Sequence, residues 1–160
     1  MTAEKYPHRK YPVLVLAVLM VALCAACGAK LVRGEAPMVR MNELSHQDNN
    51  ISLQLSIRNV NGVPLDILNI DLSVSVNDSE LFAYAGPVDT SIIGNSTETW
   101  SVDVTESSAS RELLDSLQNG DVKSLPYTLE GKITTEGDGT LRFEHEGHLY
   151  TLPGRPGHFR

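Results

Sequence analysis

The sequence predicts an all-β domain: an antiparallel, immunoglobulin- or fibronectin-III-like β-sandwich of about seven strands with one short inserted helix. Two neighbouring segments carry this prediction, residues 51–58 and 68–77, because apolar and polar residues alternate along both. Their apolar members are Ile51, Leu53, Leu55 and Ile57 in the first segment, and Leu68, Ile70, Leu72, Val74 and Val76 in the second. A period of two places these side chains on one face of each strand. Two strands with one apolar face each need a second layer to cover them, so the chain should contain a matching sheet.

The other strands are predicted from shorter stretches. Residues 37–44 form a first strand, and residues 46–50 a polar turn. Residues 81–85 form a short strand that Gly86-Pro87 should end. Gly94-Asn95 is a tight-turn pair ahead of an alternating strand that begins with Trp100.

One helix and a final hairpin complete the prediction. Ser107 or Ser108 can cap the helix, and Asn119-Gly120 can end it. Its buried stripe consists of Leu113, Leu114 and Leu117. Residues 127–134 alternate as a strand, and Gly137-Asp138-Gly139 turns the chain into a last strand that contains Leu141 and Phe143.

Composition narrows the class of protein. The chain has 160 residues, 41% of them hydrophobic, which is sufficient for one domain with an ordinary core and an appendage. After residue 26 it carries 10 basic and 19 acidic side chains. An acidic domain without a basic patch argues against nucleic acid as a partner.

The N-terminus has the order of a secretory signal. Lys5, Arg9 and Lys10 precede an apolar run at 13–26, which small residues follow. A helix of 14 residues is about 21 Å long, shorter than the ~30 Å hydrocarbon core of a bilayer. A cleaved signal is therefore favoured over a membrane-spanning helix.

The signal ends in a stretch that resembles a bacterial lipobox, Leu23-Cys24-Ala25-Ala26-Cys27-Gly28. In this interpretation Cys27 is the lipid attachment site and the first residue of the mature chain. Cys24 stands where the lipobox usually has leucine. Gly28, rather than aspartate, favours the outer membrane, facing the periplasm, if the source is Gram-negative.

Two alternatives remain for this stretch: a redox-active or metal-binding Cys24–Cys27 pair, or simple secretion or an uncleaved anchor. No cysteine follows Cys27, so no internal disulfide can form in the domain. The predicted organisation is a signal peptide at 1–26, a tether at 27–36, the sandwich at 37–152 and a flexible tail at 153–160.

Several landmarks together resemble the late embryogenesis abundant type 2 family, whose unit is also called the WHy domain. They are Asn59-Val60-Asn61 with Pro64-Leu65, Gly94-Asn95, Leu113-Leu114 with Gly120, and Tyr127-Thr128-Leu129-Glu130-Gly131. Val60 stands where the family usually has proline. The resemblance covers 37–152 and contains no catalytic signature. It implies a sandwich fold and protection in desiccation, cold or other stress, and bacterial members are often signal-bearing or lipoprotein-like.

One stretch has the composition of a metal site, Glu144-His145-Glu146-Gly147-His148, and His158 could add a ligand. On a strand, however, His145 and His148 face opposite sides. Trp100 and Tyr127 are predicted to pack in the core rather than to stack on a ligand. We therefore expect no metal, no cofactor and no catalytic residue.

Three functions follow from these observations. The first is a non-enzymatic envelope lipoprotein, bound to the membrane through Cys27, that protects envelope components in stress. The second is a binding module whose loops at 59–65 and 86–95 hold a peptide, a lipid or an envelope partner protein. The third and weakest is a metal-dependent enzyme that uses His145 and His148.

Overall fold

The computed structural model describes residues 33–47 and 49–160, which form eight strands and one helix. The strands are β1 (Met38–Gln47), β2 (Asn50–Arg58), β3 (Leu65–Val76), β4 (Ser79–Ile92), β5 (Thr97–Thr105), β6 (Leu125–Thr135), β7 (Thr140–Leu149) and β8 (His158–Phe159), and the helix is α1 (Ser108–Gln118). Within these residues, no helix has the length and apolar character needed to cross a membrane.

The strands form two antiparallel sheets of four. Sheet I has the order β5-β2-β1-β8, and sheet II has the order β4-β3-β6-β7. The inward side chains of both sheets make up one hydrophobic core. The predicted β-sandwich is confirmed.

The period of two in β2 is confirmed residue by residue. Ile51, Leu53, Leu55 and Ile57 are at most 1% exposed. The strand lies between β1 and β5 in sheet I, and its polar residues face outward. As predicted, Trp100 on β5 packs against the core, where it meets Tyr84 of β4 edge to face with ring centroids 5.4 Å apart.

In β3 the prediction for Leu68 is wrong. A β-bulge shifts the pairing with β6 between Ile67 and Asn69, and the alternation of side chains changes phase there. Leu65 and Ile67 are therefore buried, whereas Leu68 is 39% exposed. From Ile70 onward the predicted inner face is correct.

The prediction that Gly86-Pro87 ends a strand is also wrong, because β4 continues through both residues to Ile92. β4 is an edge strand of sheet II, where a proline without an N–H group does not interrupt a ladder on its open side. The pairing with β3 contains a bulge at this point, between the pairs Asn69–Pro87 and Ile67–Thr90.

Two predictions of irregular structure are corrected as well. β1 extends to Gln47, so His46 belongs to a strand rather than to a turn. The predicted flexible tail instead forms β8, which pairs with Leu44 and Ser45 of β1. Phe159 is fully buried, and this apolar burial together with the backbone bonds of β8 holds the tail on the sandwich.

The helix follows its sequence signals. Ser107 is the N-cap, and its hydroxyl accepts a hydrogen bond from the Ser110 N–H at 3.1 Å. Leu114 and Leu117 are buried, and Leu113 packs against the core. Gly120 follows the helix with φ of +81°, a conformation that glycine adopts without strain.

A close approach between strands requires glycine at position 131 of β6. A Cβ atom there would overlap the Asp71 carbonyl oxygen and lie 2.6 Å from Cζ of Phe143. The glycine of the predicted Tyr-x-Leu-x-Gly landmark thus allows the Phe143 ring to lie against the β6 backbone.

Gly131→Ala should decrease the free energy of unfolding. The decrease should lie toward the upper end of the range of about 1–3 kcal/mol, because neither the Asp71 backbone nor the Phe143 ring can move freely. Urea unfolding measures this loss. Gly137→Ala in the β6–β7 turn is the matched control, since nothing lies within 4 Å of its Cβ position. Equal stability of the two variants would contradict the packing argument.

Candidate functional site

Two buried asparagines organise one end of the sandwich, the end that contains the bend at 59–64 and the loop at 93–96. Asn59 is 0% exposed, and its side-chain nitrogen donates to the carbonyls of Val63 at 2.8 Å and Ile92 at 2.9 Å. Its side-chain oxygen accepts from the backbone N–H of Asn61 at 2.9 Å. The nitrogen and the oxygen of the Asn59 side-chain amide thus both fix the bend. We call this end of the sandwich the Asn59 end.

Asn61 connects the bend to the segment that leads into β1. Its side chain exchanges two hydrogen bonds with the backbone of Glu35, each 3.0 Å long. Asn61 is 1% exposed and also donates to Asn59 Oδ1 at 3.1 Å. The point at which the chain reaches the sandwich is therefore fixed by an amide that is itself held in place.

The loops of the predicted binding module differ from the prediction. Most of 86–95 belongs to β4, which leaves a short loop after Ile92. Gly94 in this loop lies so close to the bend that a Cβ atom would be 2.7 Å from the Gly62 carbonyl carbon. The two predicted loops pack against each other, and Ile93 beside them is 69% exposed.

A groove of about 860 Å³ lies on the outer face of sheet II. Two rows of facing residues cross the four strands here: Ala85, Asp71, Lys132 and Arg142 in one, and Ala83, Ser73, Glu130 and Glu144 in the other. The alanines of β4 leave room above the sheet, and the long side chains of β6 and β7 form the opposite wall.

The two rows of the groove differ in charge. Lys132 Nζ lies 2.8 Å from Asp71 Oδ2, and Arg142 adds a second cation to this row. In the other row Glu130 and Glu144 are both acidic. Rows separated by two residues along a strand lie about 7 Å apart. The groove can therefore contact an extended ligand that carries charges of both signs.

The structure does not bring together the histidines of the metal hypothesis. His145 lies near Tyr127, with ring centroids 6.1 Å apart, whereas His148 lies near Tyr150 on the other face of β7. His158 contacts Glu43 on β1. Among residues 33–47 and 49–160, no three His, Cys, Asp or Glu side chains are grouped as metal ligands.

A buried carboxylate at the opposite end was not predicted. The side chain of Glu106, just before α1, is 0% exposed. Its Oε2 accepts from Arg111 Nε at 2.8 Å, and Oε1 lies 2.7 Å from His46 Nε2, although these last two atoms do not meet hydrogen-bond geometry. The group joins β1 to α1 and has the character of a structural ion cluster.

A second ion cluster holds the tail. Arg155 donates from both terminal nitrogens to the two oxygens of Glu43, each at 2.9 Å, and His158 Nδ1 lies 2.7 Å from Glu43 Oε1. The contact with His158 and then those with Arg155 hold the pKa of Glu43 below its ordinary value of 4.5. Sequence spacing gave no signal for this pair, since Glu43 and Arg155 are 112 residues apart.

The predicted lipid attachment site at Cys27 and the Cys24–Cys27 pair lie outside the described residues. The described residue closest to Cys27 in sequence is Arg33. Within the part of the tether that the structure describes, Glu35 contacts Asn61.

The fold places the chain among β-sandwich domains made of two sheets. In this chain the side chain of Asn59 fixes the bend between β2 and β3. The sequence profile of the late embryogenesis abundant (LEA_2) family matches residues 54–147. The chain belongs to this family. The match includes Asn59, Asn61 and Gly131, whose contacts are described above.

Three solved structures resemble the fold of this chain. A solution structure from Arabidopsis thaliana is 12% identical, with 81% of this chain and 89% of that chain covered and a TM-score of 0.56. The solution structure of another late embryogenesis abundant protein is 17% identical, with 88% and 87% covered and a TM-score of 0.48. A crystal structure of a protein from Archaeoglobus fulgidus is 18% identical, with 74% and 98% covered and a TM-score of 0.47. No curated protein matches the chain.

The tail cluster makes stability depend on pH. Because the pKa of Glu43 is lowered on folding, the unfolded chain binds more protons in acid. The contribution of Glu43 should be present above about pH 5 and lost as pH falls through its lowered pKa. Unfolding free energies measured across this range should therefore fall more steeply for the natural chain than for Glu43→Gln.

Glu144→Gln is the matched control for this comparison. Glu144 is an exposed carboxylate on β7 without the Arg155 and His158 contacts of Glu43. Its variant should retain the acid dependence of the natural chain. If Glu43→Gln and Glu144→Gln behave alike, the tail cluster does not contribute as described.

Proposed function

We propose that the chain is a non-enzymatic envelope lipoprotein, attached through Cys27 to the outer membrane and facing the periplasm, that protects envelope components during drying, cold or related stress. Family membership is the observation that carries this proposal. The lipobox-like stretch before Gly28 supports the attachment, and the Asn61–Glu35 contact supports a chain that leaves the domain at a fixed point.

The outer face of sheet I supports a role for surface hydration. Its outward residues on β2 and β5 are mainly hydroxyl and amide side chains: Ser52, Gln54, Ser56, Thr97, Thr99, Ser101 and Thr105. Hydroxyl and amide groups donate and accept hydrogen bonds without the strong field of a charge. In this proposal the face retains water as the surroundings dry and offers hydrogen bonds to neighbouring molecules.

A strain that lacks the gene should survive drying and freezing less well than its parent, and the natural gene should restore survival. Cys27→Ser should restore less, because the domain would no longer be held at the membrane. Intact mass and membrane fractionation of each protein show whether lipid is attached. Cys24→Leu, which places the usual lipobox residue three positions before the attachment site and leaves Cys27 intact, is the control.

Two results would contradict the proposal in different ways. Unchanged survival of the deletion strain would remove the protective role. Natural protein without lipid mass would remove the anchor at Cys27 and leave the Cys24–Cys27 pair open to other chemistry.

A second candidate is a binding module, and the groove on sheet II favours it. Its floor of small side chains and its two rows of opposite charge suit an extended envelope peptide with acidic and basic groups. In this candidate function the binding surface is the groove, and not the loops at 59–65 and 86–95 that the sequence predicted.

Ala85→Trp should test the groove, because the indole would occupy the space above the β4 floor. Envelope components retained by the immobilised natural protein should be lost with this variant and identified by mass spectrometry. Ser101→Trp on the outer face of sheet I is the control and should retain them. Identical sets from both variants would exclude the groove as the binding surface.

A further inference from the structure

The Asn59 end carries an apolar tip, which we define as Val63, Pro64 and Ile93. Ile93 is 69% exposed, Pro64 is exposed and Val63 is half-buried. Gly94 brings the two loops of the tip into contact, since a Cβ atom at that position would lie 2.9 Å from the Val63 backbone nitrogen. Ile93 is the most exposed large apolar side chain among the described residues, and Val63 and Pro64 of the adjoining loop extend it into a small apolar surface that can contact a partner.

The tip lies beside the point at which the tether reaches the sandwich. Asn59 donates to the Val63 carbonyl at 2.8 Å and approaches that of Ile93 at 3.4 Å, so it contacts both loops of the tip. Through Asn61 the same network holds the backbone of Glu35. The exposed apolar surface and the attachment of the tether are thus connected by consecutive hydrogen bonds.

The length of the tether limits how far this end can lie from a lipid anchor. Eight residue steps join Cys27 to Glu35, and a fully extended chain covers at most about 26–29 Å in eight steps. β3 alone, with 12 residues, is about 40 Å long. With a lipid at Cys27, Glu35 at the Asn59 end must lie within this distance of the anchor, whereas the opposite end of the sandwich can lie about 40 Å farther away.

Exposed apolar side chains are distributed in agreement with this orientation. Of the four large ones among the described residues, Ile93 and Met38 lie at the Asn59 end, and Leu68 lies early in β3. Tyr150, which follows β7, lies at the opposite end. The most exposed of the four is Ile93, at the Asn59 end.

Charge would not attract the apolar tip to a lipid surface. Arg58, Asp66 and Glu98, all exposed, place both signs near the tip. After residue 26 the chain carries nearly twice as many acidic as basic side chains, and anionic lipids repel such a domain. Any contact with lipid must come from the apolar tip, and the tether supplies the high local concentration that so small a surface needs.

We propose that the apolar tip is a lipid-contacting surface, and that Ile93 enters the interfacial region of the membrane to which Cys27 is anchored. This inference rests on the proposed lipid attachment. It gives the domain one orientation, with α1 and the tail cluster directed away from the bilayer and both outer sheet faces open to the periplasm.

Thiol labelling of the anchored protein tests this proposal. In a mature chain that begins at a lipidated Cys27, a cysteine introduced at Ile93 is the only free thiol. A polarity-sensitive fluorophore is attached at Ile93→Cys, and the lipoprotein is placed in phosphatidylcholine vesicles with nitroxides on their acyl chains. Tyr150→Cys, an exposed position at the opposite end, is the matched control.

The expected result is a blue-shifted emission at position 93 that the nitroxides quench, and an unshifted, unquenched emission at position 150. Replacing part of the phosphatidylcholine by anionic lipid should not strengthen the effect, because the tip is apolar. Intact mass of each labelled protein establishes that lipid is attached.

Failure of the inference is distinguishable from failure of the proposed function. Lipidated protein whose label at 93 stays as exposed to water as that at 150 overturns the orientation and leaves the anchor intact. Protein without lipid mass overturns both, because the tip would then have no anchor beside it. Quenching at both positions alike would indicate a domain lying on its side and would overturn the proposal.

Discussion

The buried amide of Asn59 is the interaction on which the rest of the sandwich depends. It fixes the bend between β2 and β3 and also the carbonyls of Ile92 and Ile93, where the chain crosses from sheet II to sheet I. Without it, buried carbonyls would lose their donors, at a cost of about 1–3 kcal/mol for each unsatisfied group. The bend forms with valine at position 60, because the side-chain hydrogen bonds of Asn59 determine its geometry.

The two ends of the sandwich are stabilised by different physics. The Asn59 end relies on neutral amides that are fully satisfied and buried. The opposite end relies on apolar burial under α1 and Phe159 and on two carboxylates, Glu106 and Glu43, each with cationic partners. Ion pairs respond to acid and salt, whereas buried amides do not. Since no cysteine follows Cys27, packing and these networks alone must hold the domain together.

Local pattern predicted most of the strands, the helix and several turns, but not the bulges of β3 and β4 or the strand in the tail. Alternation specified β2 and the inner face of β3 after Ile70, and capping chemistry specified α1. The spacing of three between the buried residues Ile67 and Ile70 is the sequence signal for the β3 bulge, and the regular alternation predicted from Leu68 onward does not contain it. Pro87 could be assigned to a strand only once the topology made β4 an edge. The glycines and prolines of the tail predict flexibility, whereas the burial of Phe159 depends on contacts with β1 that the local sequence does not show.

The candidate functional surfaces were still harder to predict, because they depend on contacts between distant residues. Asn61 is typical of a turn in the sequence, and its contact with Glu35 spans 26 positions. The charged rows of the groove arise only when four strands align Asp71, Lys132 and Arg142. Sandwich ends are usually where binding loops lie, but here Gly94 lets the two loops pack against each other. A domain whose end is closed in this way and whose outer sheet faces carry polar side chains is better suited to contacts along its surface than to enclosing a small ligand.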